Sequence, residues 1–255
     1  MAPSSQTDSP TTAASKNDRL ILSIVYGVII LIMLFQLKNF FAALPTLSST
    51  MAGFKESPWI ATVYTDISVT WLAFILPYIW CHHYSRDGNP WIRFLIILSP
   101  LVIGNVGVAG YLLYTLLSRD SSAKDSLFGS RNYSSRTSDG IRWPIFWFGG
   151  LALLYAAVTL YAIITEPLGQ GWAAIKKDSI AYSTFIDLLC GIAIFSTLVA
   201  VREETLGSWL GWTVAISVVG GGVAALYSLL VMLEAARKNE HFGKVFLTPK
   251  GSEFI

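Results

Sequence analysis

Continuous apolar stretches, each about as long as a membrane is thick, dominate the chain. Crossing roughly 30 Å of hydrocarbon takes about 20 residues of α-helix. Strands of a membrane barrel would instead alternate apolar and polar residues over about 10 positions. The sequence therefore predicts an all-α fold, a polytopic membrane bundle of six transmembrane helices. These six predicted helices are Leu20 to Leu44, Trp59 to Cys81, Trp91 to Leu117, Ile145 to Thr165, Ile180 to Val201 and Leu206 to Leu233.

Polar segments divide the chain into parts. Residues 1–19 are rich in Ser, Thr and Pro and predict a disordered tail, because they lack apolar residues that would offset the entropy of folding. The segment 118–142 is rich in Ser and Arg and predicts a mobile loop. Two predicted three-helix units, 20–117 and 143–236, lie on either side of this loop, and residues 237–255 form a C-terminal tail.

The two three-helix units resemble each other. Aligning predicted helix two with predicted helix five places Asp66 over Asp187. Chance similarity between two apolar hairpins is the alternative interpretation. Because three spans is an odd number, a second unit that repeats the first enters the membrane from the opposite side, which predicts a three-plus-three inverted repeat. Two further pairs share a separation of 118 residues: Trp91 with Trp209, and Arg119 with Arg237.

Composition agrees with the bilayer as the solvent. Hydrophobic residues make up 53% of the 255 residues and charged residues only 13%, with a mean hydropathy of +0.55. Soluble domains carry about twice that charged fraction. The net charge of +2, without a basic stripe, excludes a nucleic-acid partner and leaves membrane lipid as the first partner. The tail is too poor in arginine for a transit peptide, so we expect an endomembrane location such as the endoplasmic reticulum.

Two aspartates inside predicted spans are the candidate chemical groups. A carboxylate within a membrane helix costs about 3 kcal/mol on insertion scales, so it indicates either function or hydrogen bonding between helices. Asp66 lies between Thr62 and Thr70 on one polar stripe, which we expect to face protein. Asp187 shares a helix face with small and polar residues, and this face is also expected to point inward. The residues on that face are Ser183, Thr184, Cys190 and Gly191.

The two aspartates are predicted to differ in charge. Lys38, near the end of predicted helix one, lies at a depth similar to Asp66, which predicts a buried ion pair. Predicted helix four offers Asp187 no lysine, so desolvation favours the neutral acid, which can donate a hydrogen bond or a proton. The sequence thus predicts one fixed and one titratable carboxylate.

Other polar residues give further expectations. Asn105, an amide near the centre of predicted helix three, fits either helix–helix hydrogen bonding or ligand contact. His82 and His83 have no further ligands at metal-binding spacing, so we expect a solvated interfacial pair, no metal and no cofactor. The glycines at 220–222 lack the lysine of a phosphate loop and predict close helix packing or local unwinding.

The long loop contains an N-glycosylation sequon at Asn132. Lys and Arg divide 10 to 8 in favour of the side that holds both termini, so the positive-inside rule places both tails in the cytoplasm. The loop then faces the lumen, where Asn132 becomes an acceptor and the protein a glycoprotein. An accidental tripeptide in a Ser-rich stretch is the alternative.

The stretch PWIATVYTDISVTWLAF, followed by Asn89-Pro90-Trp91 and a span ending in YLLY, resembles an uncharacterised family of small membrane proteins of plants, algae, bacteria and fungi. The resemblance covers residues 58–119 and, more loosely, 180–237, and it implies no activity. The family's Pro-Trp, aspartate and basic turn match Pro58, Trp59, Asp66 and Arg119.

Membrane-bound terpene cyclases of fungal biosynthetic clusters are similar in architecture alone, since their Trp-Glu signature is absent from this sequence.

Three classes of function fit these features. The first binds or processes a lipophilic small molecule in a cavity between the two halves, as an acid-assisted cyclase or isomerase of lipophilic metabolite biosynthesis. Asp187 would protonate the substrate, and Asp66 would stabilise the developing cation. The second is a proton-coupled small-molecule transporter that uses the same acids, and the third is a non-catalytic scaffold for other membrane proteins. Residues expected to contact the substrate are Thr62, Thr70, Asn105, Ser183 and Thr184.

Overall fold

The computed structural model describes residues 11–43, 53–84, 94–95, 98–99, 103–118, 122–128, 142–203, 205–238, 240 and 242–248. Within these ranges the regular elements are helices and no strand occurs, which confirms the all-α prediction.

The helices follow one another with short connections. Ser57 caps α2 by accepting a hydrogen bond from the Trp59 amide, and Pro58 occupies the first helical position, as is typical of a helix start. A π-helical turn, Trp71–Ile75, joins α2 to α3. The helices are α1 (Thr11–Ala43), α2 (Pro58–Thr70), α3 (Leu76–Tyr84), α4 (Asn105–Leu117), α5 (Ala123–Phe128), α6 (Arg142–Thr165), α7 (Leu168–Lys177), α8 (Ser179–Arg202), α9 (Leu206–Val219), α10 (Gly221–Lys238) and α11 (Phe242–Leu247).

Four stretches are long and apolar enough to cross a membrane: Asn17–Gln36, Pro58–His82, Pro144–Thr165 and Ser179–Arg202. Large apolar side chains such as Leu31 and Ile164 are exposed on these helices, as expected where a helix faces lipid. The structure therefore supports an integral membrane protein with four candidate spans. It does not confirm the predicted count of six.

Glycines with positive φ interrupt two of the predicted helices. Predicted helix six divides at Gly220, where φ is 86°, into α9 and α10. In predicted helix three, α4 begins directly after Gly104, where φ is 61°. Residues that carry a Cβ rarely adopt this backbone conformation, so glycine is the residue that permits both interruptions. The sequence did not predict the interruption at Gly104, whereas the alternative of local unwinding in the glycine run is confirmed at Gly220.

Helices α1 and α6 each pack on one helix of their own predicted unit and on one helix of the other. The first long helix, α1, packs on α4 and α8, whereas α6 packs on α10 and α2. Helix α2 also packs against α8 and α10. An aromatic cluster fills the core beside α3, with ring centroids 4.6 to 5.8 Å apart. Its members are Phe74, Phe195, Tyr227 and Phe246.

Helices also occupy parts of the segments predicted to be irregular. Helix α1 begins inside the predicted disordered tail, and α5 lies inside the predicted mobile loop, where it buries Leu127 and Phe128. Helix α11, in the predicted C-terminal tail, buries Phe246 and packs on α10 and α3. Short apolar runs order these pieces because they add to the core. Asn132 lies outside the described residues.

Candidate functional site

Asp66 binds the start of α10 at the Gly220 break. Its side chain is buried, and Oδ1 accepts a hydrogen bond from the amide of Gly221, the first residue of α10. The Tyr155 hydroxyl, from α6, donates to the carbonyl of Val219 and lies 3.4 Å from Asp66 Oδ2. The carboxylate therefore satisfies an amide that the helix leaves open and meets the positive end of the α10 dipole.

The glycines allow this close approach. A Cβ on Gly220 would collide with Asp66 Oδ2 and lie 2.5 Å from Tyr155 Oη. A Cβ on Gly221 would lie 2.7 Å from both Asp66 Oδ1 and Thr70 Oγ1. Any side chain at these positions would displace the polar groups around the break.

Asp187 binds the start of α4 at the Gly104 break. Its side chain is buried, and Oδ1 accepts the amide of Asn105, the first residue of α4, at 3.0 Å. The Asn105 side chain links two further groups: Nδ2 donates to the Asp187 carbonyl at 2.7 Å, and Oδ1 accepts from Trp71 Nε1 at 3.1 Å. Asn105 therefore forms hydrogen bonds between helices, one of the two roles predicted for it.

The two breaks share their geometry and differ in side chains. Both glycines have positive φ with ψ near −150° (−149° at Gly104 and −154° at Gly220), and both precede an amide bound by a buried carboxylate from the other predicted three-helix unit. Asn105 at the first break corresponds to a glycine at the second. Thr70, four residues after Asp66, corresponds to Gly191, four residues after Asp187.

The predicted polar stripes face protein, as expected. Thr62, Asp66 and Thr70 are buried, and the Thr62 hydroxyl donates to the Pro58 carbonyl at 3.0 Å. On α8, Ser183 and Asp187 are buried. Thr184 is half-buried and donates to the Ile180 carbonyl at 2.9 Å. The structure brings each aspartate to its own helix break, where it binds a backbone amide.

The predicted ion pair between Lys38 and Asp66 is not formed. The Lys38 side chain is exposed, whereas Asp66 is buried against Gly221 and Tyr155. The partner of Asp66 is the backbone N–H of Gly221, at the start of α10, and not the predicted lysine. The N-terminus of a helix favours a negative charge, as a lysine does.

We expect Lys38→Ala to change the free energy of unfolding by less than about 0.5 kcal/mol, as is usual for exposed residues. Thermal unfolding of the purified protein in detergent, compared with the exposed control Lys55→Ala, measures this. A loss of more than about 2 kcal/mol confined to Lys38→Ala would contradict the arrangement around Asp66.

His82 is buried, so the predicted solvated pair is wrong for this residue. Its Nδ1 lies 2.6 Å from Tyr111 Oη, and its Nε2 lies 3.0 Å from the carbonyl of Ser126 in α5. The side chain of His83 lies outside the described residues. In the described part of the chain, no three His, Cys, Asp or Glu residues form a group that could hold a metal ion.

A buried charged cluster near the end of α8 was not predicted. Arg202 Nη1 lies 3.2 Å from Glu203 Oε1 and donates to the Tyr227 hydroxyl at 2.8 Å. Other nitrogens of the same guanidinium donate to the carbonyls of Val245 and Phe246 in α11, at 3.1 and 3.2 Å. Two signals were available in the sequence: the charged pair Arg202-Glu203 at the end of an apolar stretch, and the apolar residues 245–247 in the tail.

Comparison of the chain with protein families, with curated proteins and with solved structures finds no match. The resemblance of residues 58–119 to small membrane proteins stays a prediction.

Proposed function

We propose that the protein is a six-span carrier that moves a lipophilic small molecule across a membrane together with a cation, in the simplest case a proton. One observation carries this proposal: each of two helix breaks is held by a buried carboxylate from the other three-helix unit. Interrupted helices with functional groups at the interruption are typical of carriers built from inverted repeats.

Several paired features support a three-plus-three inverted repeat. Asp66 and Asp187 occupy the same place in the two units, as do Gly220 and Gly104. Short helices α5 and α11 follow the two predicted units, and each supplies a backbone carbonyl to a polar side chain: Ser126 in α5 to His82, and Phe246 in α11 to Arg202. In this proposal α9 and α10 form one broken span, and the predicted span Trp91 to Leu117, which contains α4, is another crossing, giving six crossings.

The aspartates at the two helix breaks couple cation binding to movement of the half-helices. An unprotonated aspartate holds the first amide of the following half-helix, whereas a protonated one loses its charge and binds that amide less strongly. A buried carboxylate is costly in the membrane unless a cation neutralises it. Binding of the cation therefore favours a different position of the half-helix, which is what alternating access requires.

A carrier fits the geometry better than a cyclase. Acid-assisted cyclisation needs Asp66 and Asp187 to act on one substrate, but each aspartate accepts a backbone amide at its own break. The cyclase and the scaffold stay predictions without a supporting contact.

Proton flux in liposomes tests the carrier proposal. The full chain is reconstituted with an internal pH-sensitive dye, a pH gradient is imposed, and lipophilic solutes are added one at a time. We expect at least one solute to produce proton flux, and Asp66→Asn and Asp187→Asn to reduce it at least tenfold, because an amide has the shape of the acid but neither its negative charge nor its titratable proton.

Asp125→Asn, the same substitution at an exposed aspartate of α5, is the matched control and should retain the flux. Equal flux in all three variants would overturn the assignment of the acids. Product formation without any flux would favour the enzyme instead.

A further inference from the structure

The Gly220 break brings together oxygen atoms from four residues. We infer that it binds a sodium ion through Asp66, Thr70, Tyr155 and the backbone carbonyl of Val219. The inference rests on the proposed function and names the coupling cation for one of its two breaks.

Val219 and Tyr155 supply two neutral oxygens. Val219 is the last residue of α9, and its carbonyl accepts the Tyr155 hydroxyl, which also lies 3.4 Å from Asp66 Oδ2. Carbonyls at the end of a half-helix are among the groups that hold sodium in membrane carriers. The carboxylate of Asp66, the hydroxyl of Tyr155 and the carbonyl of Val219 therefore lie close together at the Gly220 break.

The side chain of Thr70 points to a bound ligand. Its side chain is fully buried, and its hydroxyl has no hydrogen-bond partner within the described structure. Thr62 and Thr184 each donate to the carbonyl four residues earlier, which is the ordinary solution for a threonine in a membrane helix. The Thr70 hydroxyl instead lies next to Gly221. A Cβ placed on Gly221 would lie 2.7 Å from Thr70 Oγ1 and also 2.7 Å from Asp66 Oδ1.

Charge and ligand type favour a monovalent cation such as sodium over divalent metals. A single carboxylate with neutral oxygens carries one negative charge, which a monovalent cation balances in a medium where net charge is costly. Calcium usually takes six to eight oxygens, often from several carboxylates, and magnesium keeps several of its waters. Oxygen ligands exclude the metals that prefer thiolate or imidazole.

The Gly104 break lacks the same ligands. Gly191 stands where Thr70 stands at the other break, and the Asn105 amide is already bonded to Asp187 and Trp71. Sodium should therefore bind at one break only. Asp187 retains the role of a proton acceptor in the proposed function.

Thermal unfolding of the purified full chain, followed by the fluorescence of its nine tryptophans, tests the site. Sodium chloride replaces choline chloride at constant ionic strength. We expect a saturable rise in the unfolding midpoint, about 3–5 °C once sodium exceeds its dissociation constant tenfold. Thr70→Val should abolish this rise because it removes only the hydroxyl, and Thr70→Ser should retain it.

Thr62→Val, the same change at a hydroxyl with its own partner, should keep the sodium effect, as should Asp187→Asn. An equal effect of sodium and choline, or a full effect in Thr70→Val, would overturn the inference. Because binding is measured without transport, such a failure combined with intact proton flux would leave the proposed function standing.

Discussion

Gly220→Ala is expected to lower the unfolding midpoint by roughly 10 °C and to reduce the yield of folded protein. Two costs add: a non-glycine residue is strained at a φ of 86°, and the new Cβ meets Asp66 Oδ2 and Tyr155 Oη. Together they amount to about 3–5 kcal/mol. For a chain of this size each kcal/mol shifts the midpoint by about 2–4 °C.

Gly211→Ala is the matched control, since this glycine lies in α9 and its new Cβ would meet no heavy atom within 4 Å beyond its chain neighbours and the nearby backbone of its own helix. It should be neutral or slightly stabilising, because alanine favours helix. Equal stability of both variants, by fluorescence-detected unfolding and size-exclusion yield, would refute the break at Gly220.

Arg202→Met is expected to have the second large effect, about 3–5 kcal/mol of lost stability. The substitution keeps much of the side-chain volume but leaves the Glu203 carboxylate buried without its cation. It also removes the donors to Val245 and Phe246, which hold α11 against the core. Thermal unfolding should show a fall of roughly 10 °C.

A double variant separates charge from packing. Arg202→Met combined with Glu203→Met should recover part of the loss, because the buried negative charge that Arg202 balances is removed as well. Arg237→Met, at an exposed arginine of α10, should be close to wild type. If the double variant is less stable than Arg202→Met alone, the loss of the positive charge beside Glu203 is not the cause.

Local signals predicted the membrane class and the two inward-facing aspartates. Apolar length and the four-residue spacing of Thr62, Asp66 and Thr70 are properties of one helix, so they can be read without knowing its neighbours. The same signals indicated where α6 and α8 lie. Tertiary contacts were not needed for these predictions.

The helix breaks depend on contacts that are distant in sequence. Gly104 is one of three spaced glycines in an apolar stretch, and its role depends on Asp187, whose carboxylate binds the next amide across 82 residues. The partner of Asp66 was misassigned for the same reason. A lysine is visible in the sequence as a cation, whereas the amide of Gly221 becomes a partner only once the helix has divided.

The π-helical turn at Trp71–Ile75 sets the register of the helix that contacts both breaks. A π turn holds one residue more than an α turn, and one residue corresponds to about 100° of rotation around the axis. Before the turn, Asp66 faces α10, while Trp71 at its start reaches Asn105 on α4. With one residue fewer, Tyr78 and His82 would rotate away from their partners while Asp66 kept its own. The extra residue therefore lets one helix satisfy two sets of neighbours that a uniform helix would bring out of phase.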